Sequence, residues 1–245
     1  MNGVLQVEIR DEFRAIYREP MALIFSVLLP VAFYGLFTTM FGSDAASGGL
    51  PIGTTMLATM GTFGVVAVTL GNPGISVAGD REIGWLRTKR IAAVEPTTTV
   101  LAKVVAAMPY ALGVILAMGA LSAVTGVLDA PPLALLRVAG VLLIGSVPFA
   151  LLGLAVGFQL RTQATAAVTQ VFLMPAAVVS GLWMPHEILP PVMADIAPYL
   201  PTYHLAQLAL AQLEGTGGVA HAGILAGMSV VIALAAVLSY RHVRP

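Results

Sequence analysis

Long apolar runs recur along this chain and constrain its fold more than any motif does. A helix needs about 20 apolar residues to cross roughly 30 Å of hydrocarbon. Stretches at about 21–41, 55–78, 98–127, 134–158, 164–184 and 220–240 meet or nearly meet that need. With no water to satisfy backbone groups in a bilayer, such runs are expected as helices. The expectation is an all-α membrane protein with six transmembrane helices, forming a single transmembrane domain over residues 1–245. Composition agrees, with 58% of residues hydrophobic and 10% charged, against about 25% charged in a soluble domain. A formal net charge of zero gives no bulk basicity for nucleic acid. The absence of Cys excludes disulfides, thiol catalysis and cysteine metal sites.

Proline punctuates the pattern. Pro30, Pro73, Pro109, Pro148 and Pro175 lie inside the first five spans, where neighbouring helices can re-satisfy freed backbone groups. Between spans five and six, Pro185, Pro190, Pro191, Pro198 and Pro201 are too dense for one continuous helix. Two short helices that enter the membrane and return are expected instead, with an outer re-entrant segment at 186–204. Small residues in LLGLAVG (151–157) and GILAGMS (223–229) permit close helix contact.

The start, MNGVLQVEIRDEFRAIYREP, mixes four acids with three Arg. It lacks the basic start of a signal peptide, so residues 1–19 are expected in the mature protein. Val4, Leu5, Ile9, Phe13, Ile16 and Tyr17 can share one helical face, which predicts an amphipathic elbow helix in the interface. Lys and Arg favour cytoplasmic loops. With the amino terminus inside, every basic residue except Arg137 falls on the inner segments, while Asp44, Asp129, Glu187, Asp195 and Glu214 fall outside. Both termini are therefore expected in the cytoplasm.

The inner segment GDREIGWLRTKRIAAVEP (79–96) is unusually charged for this chain. It can be a topology-setting loop, an anionic-lipid contact or a docking helix for a cytoplasmic partner. Asp80, Glu82 and Glu95 dilute a lipid-binding basic cluster, whereas Ile83, Trp85, Leu86, Ile91 and Val94 interleave apolar grip with charge. Glu82, Gly84, Leu86 and Pro96, placed between a second and a third span, resemble a pattern of the ABC type-2 transporter permease family. A longer stretch, SGLWMPHEILPPVMADIAPYLPTYHLAQLAL (180–210), is similar to the family's second signature through Ser180, Gly181, Pro185, Leu189, Pro190 and Pro201. Six spans and the elbow extend the resemblance over the whole chain.

The resemblance implies a homodimer of permeases, each docking one copy of a cytoplasmic ABC ATPase, in a bacterial plasma membrane. Residues 80–96 would be the coupling helix, with Asp80, Glu82, Gly84, Trp85, Leu86, Arg87 and Arg90 at the ATPase. Within that set, Glu82 and Arg87 are expected to make polar docking contacts, and Trp85 and Leu86 to pack. Neither Lys89 nor Lys103 follows a G-x-x-x-x-G pattern. ATP and Mg are thus expected in the separate ATPase, with no cofactor, metal or catalytic residue in this chain.

Polar or aromatic side chains within spans, namely Phe63, Asn72, Gln163, Thr169 and Gln170, are candidates to line a pathway, because a polar group in a span usually faces protein or a cavity. Apolar walls favour a hydrophobic drug, antibiotic or lipid-like substrate, and the family implies export. Alternatives are an ATP-independent secondary transporter or channel, and a polysaccharide-exporting member of the same family. Aromatics at 7% disfavour a sugar channel. An enzyme is disfavoured because His186, His204 and His221 show no metal spacing.

Overall fold

A computed structural model describes residues 2–18, 20–41, 50–183 and 189–241. The amphipathic start forms α1 (Asn2–Arg18). Pro20 then opens α2 (Pro20–Phe41), because the first helical turn does not use the N–H that proline lacks. The other long elements are α3 (Ile52–Glu82), α5 (Pro96–Thr125), α8 (Thr162–Val179) and α11 (Val219–Arg241). The short α4 (Trp85–Ile91) joins α3 to α5. The fourth expected span is two helices, α6 (Pro132–Gly145) and α7 (Val147–Gly157). They meet at Ser146, two residues before Pro148, whose missing N–H interrupts the helical ladder. Six helical segments are long and apolar enough to cross a membrane: α2, α3, α5, α6 with α7, α8 and α11. Together they make an all-helical, multi-pass fold over the described residues.

The boundaries depart from expectation at two places. Helix α3 runs on to Glu82, so Asp80 and Glu82 end a spanning helix and do not begin the connecting one. The proline-rich connection is a six-residue α9 (Pro191–Ile196), a 3-10 turn (Ala197–Tyr199) and a 14-residue α10 (Pro201–Glu214). The last is longer than the expected end at 204. Pro191 and Pro201 each start a helix, as their chemistry favours.

Helix α3 is the central post. Of its most apolar stretch 78% is buried, against 17% for α2 and 11% for α11. The main core gathers Tyr34, Met60, Phe63, Leu70, Met118, Leu142, Phe149 and Leu205 around it. Where α3 crosses α7, a Cβ on Gly153 would run into the Leu70 carbonyl, and one on Gly157 into that of Gly74. The LLGLAVG stretch thus brings two backbones into contact, as small residues do between membrane helices. A second core of Val77, Leu86, Val104, Ala150, Leu154 and Phe158 lies at one end of the bundle. That end also carries α1, α4 and most of the charge, and is called the charged end below.

Candidate functional site

At the charged end, α3 stops because Gly84 takes φ +76°, a left-handed conformation that costs a non-glycine residue. Its N–H bonds the Arg81 carbonyl, while its own carbonyl receives Arg87 N–H and Thr88 N–H. One glycine therefore ends α3 and starts α4. Leu86 is buried in the second core. Ile83 (80%), Ile91 (79%), Trp85 and Arg87 are exposed. The end of α3 and the seven-residue α4 together thus present two nearly bare isoleucines, an indole and a guanidinium. Arg90 belongs to α4, but its side chain lies outside the described residues.

Both lysines are buried beneath this segment. Lys103 Nζ donates to Glu12 Oε1 at 2.8 Å and to Ser76 Oγ at 2.8 Å, and pairs with Asp80 Oδ2 at 2.7 Å. Lys89 Nζ pairs with Glu8 and lies 5.9 Å from the Trp85 ring centroid. Glu8 and Glu12 are four residues apart, on the same face of α1 as the half-buried Leu5, Ile9 and Ile16. Val4 and Tyr17, expected on the apolar face of the interfacial helix, are exposed in the single chain. The elbow therefore turns acids as well as apolar side chains inward, and they bind α4 and α5.

Two other expected docking residues are bonded within the chain, Asp80 partly buried and Glu82 exposed. Asp80 is held by Lys103. Glu82 accepts from the Thr162 hydroxyl at 2.7 Å and from Thr162 N–H at 3.3 Å. A carboxylate at the first turn of α8 meets orphan N–H groups and the positive end of the helix dipole. The Arg81 guanidinium donates to the Phe158 carbonyl at 2.9 Å. Of the expected coupling side chains, Glu82, Trp85 and Arg87 are exposed, Leu86 packs inward, and Asp80 and Glu82 bridge elements of the same chain.

The five expected lining residues do not form one surface. Phe63 is core, 5.2 Å from the Trp183 ring in edge contact. Asn72 opens on a cavity of about 320 Å³ below α1, shared with Glu12 and Lys103. Its Nδ2 has no hydrogen-bond partner among the described residues. Thr169 is buried and donates to the Thr165 carbonyl, the usual back-bond of a hydroxyl in a helix. Gln163 and Gln170 are exposed on the opposite face of α8, with Ala167 between them.

The second signature has a local explanation. Ser180 caps α8 and Gly181 follows at φ +69°. Leu182 N–H reaches the Ala177 carbonyl and Gly181 N–H that of Val178, the pattern of a Schellman stop. Ser180 Oγ lies 2.6 Å from Thr202 Oγ1, just after Pro201 opens α10. Leu189 and Pro190 lead into α9, and Pro185 lies outside the described residues. His204, also on α10, places Nε2 2.8 Å from the Pro198 carbonyl and Nδ1 3.0 Å from His221 Nδ1. Serine, glycine and proline thus set where the chain turns.

Sequence reasoning missed Glu8, Glu12, Lys89, Lys103 and Thr162. A signal was present: Lys103 sits among apolar neighbours, and two acids recur at helical spacing on the apolar stripe of α1. A family model described as "ABC-2 type transporter" matches residues 4–213. A Bacillus subtilis (strain 168) protein named "Putative transport permease YvfS" is 24% identical over 213 residues, covering 87% of this chain and 86% of that protein.

Proposed function

The chain belongs to the ABC-2 type transporter family, and from that premise we propose that it is the membrane subunit of an ATP-driven exporter. In this reading two copies pair in a bacterial plasma membrane with both termini in the cytoplasm. Each docks one copy of a separate ATPase that holds ATP and Mg. The cargo is a hydrophobic drug, antibiotic or lipid-like compound carried outward, which would make the protein an efflux component able to confer antibiotic resistance. The six spans and the relative's name support transport. The elbow, coupling and re-entrant roles belong to α1, α4 and the α9–α10 segment in the same reading.

The observation that carries the ATPase reading is α4. It exposes Trp85, Arg87 and Ile91, with Ile83 exposed just before it, yet Leu86 roots it in the second core. A partner that buried those isoleucines would gain hydrophobic energy and would grip a helix already tied to the bundle. Lys89–Glu8 links α4 to α1, and Glu82–Thr162 links the end of α3 to α8. A push on α4 would then tilt several helices as one packed body, the hinge-and-shear kind of switch. The test is co-purification with the ATPase encoded beside it, followed by hydrolysis assays in lipid. Ile91→Asp and Arg87→Ala are expected to weaken both the complex and hydrolysis. A well-folded chain that binds no ATPase would move the reading to ATP-independent transport.

A further inference from the structure

We propose that the groove between α6–α7 and α11 is a binding site for an anionic glycerophospholipid, with its phosphate on Arg137 and an acyl chain in the groove. The groove has a volume of about 790 Å³. Its walls include Val141, Ile144, Leu225 and Val230, and Arg137 and Gln212 lie on it too. Among the described residues no acidic one lines it.

Arg137 stands five residues after Pro132, about 8 Å along α6. Among the described residues no carboxylate pairs with it. An arginine inside a span is costly unless it finds a partner or reaches the interface. Its planar fork of donors suits a phosphate, and lipid phosphates lie at the depth to which such a side chain extends. The groove below has the matching length. On α11 it runs from Ala222 to Ala233, about 16 Å at 1.5 Å per residue, close to half of the roughly 30 Å hydrocarbon core.

A neighbouring groove of about 950 Å³ shows why one leaflet is chosen. It shares Val147, Leu151 and Ala233 with the first and continues toward the charged end. Among the described residues Glu95 lines it and no basic residue does, so a phosphate beside Glu95 would meet a like charge. Charge complementarity favours the Arg137 groove for the anionic lipid.

The test is native mass spectrometry of the purified full chain, titrated with phosphatidylglycerol and with phosphatidylcholine of identical acyl chains. Wild type is expected to retain phosphatidylglycerol about fivefold better, the effect of one basic residue at an anionic surface. Arg137→Gln is expected to abolish the preference and Arg137→Lys to keep most of it. Gly140 lines the groove, and a Cβ there meets nothing within 4 Å. Gly140→Leu is therefore expected to enter the groove without a clash at its Cβ, and to lower retention of both lipids while the chain keeps its melting temperature. Equal retention of the two lipids by wild type, a preference that survives Arg137→Gln, or unchanged binding by Gly140→Leu would each overturn the proposal. So would efficient cross-linking of Val230→Cys between two copies, which would make the groove a protein interface.

Discussion

Lys103 has a side chain only 1% exposed and is closed in by Glu12, Asp80 and Ser76. Removing one partner from a buried ionic cluster strands the others, at about 3–5 kcal/mol when burial is complete. Here the carboxylates keep some water, so Lys103→Met is expected to cost about 3 kcal/mol, seen as a lower melting temperature in detergent. Adding Glu12→Gln and Asp80→Asn to the same chain should recover most of the loss, since apolar or neutral replacement of a whole cluster is tolerated. If the triple variant is no better than the single, the cluster is not the source of the loss. Glu82 leads to a different measurement. If it caps α8 through Thr162, Glu82→Ala should speed amide exchange over residues 162–165 and leave α4 unchanged. Faster exchange in α4 with no change at 162–165 would assign Glu82 to the connecting helix.

At the scale of elements, the spans were legible because a bilayer demands long apolar helices, and all six helical segments appear near the expected places. The end of α3 was not legible. Charge in 79–82 suggested a break, but Lys103 and Thr162 satisfy Asp80 and Glu82 from elsewhere in the chain, so the helix continues through them. The candidate site was legible where chemistry is local, at Gly84, Ser180–Gly181 and Pro201. It was illegible where it depends on partners some 80 residues away, as with Glu8–Lys89. The α3–α7 crossing lies between these cases, since small residues announced a close contact without naming its partner. Gly153→Ala is expected to cost about 1–3 kcal/mol or more, because backbone and not a flexible side chain stands in the way. Gly119→Ala, in the middle of α5 with open space around its missing Cβ, should be neutral or stabilise by about 0.5–1 kcal/mol. Size-exclusion profiles of the two variants separate the crossing from a general intolerance of helix glycines.

At the scale of the whole molecule, the unburied faces indicate what surrounds one chain. Helix α2 exposes Phe25, Leu28, Leu29 and Leu36, which suit lipid or another apolar surface. Helix α8 instead exposes Gln163 and Gln170 on one face. A carboxamide facing hydrocarbon without a partner is costly, so that face is better covered by a second copy or by water in a pathway between copies. The chain contains no Cys, so each introduced thiol reports on its own position. In membranes, Gln170→Cys is expected to form a cross-linked dimer with a short bifunctional reagent. Leu116→Cys, exposed on α5, should stay monomeric under the same conditions. The same background sets the orientation: Thr88→Cys on α4 should react with an impermeant maleimide only from the cytoplasmic side, and Gly217→Cys, between α10 and α11, only from the opposite side. Cross-linking at 116 but not at 170 would move the dimer to another face and return Gln163 and Gln170 to the lipid boundary. Labelling of 88 and 217 from one side would break the six-span path, because an odd number of crossings separates the two positions.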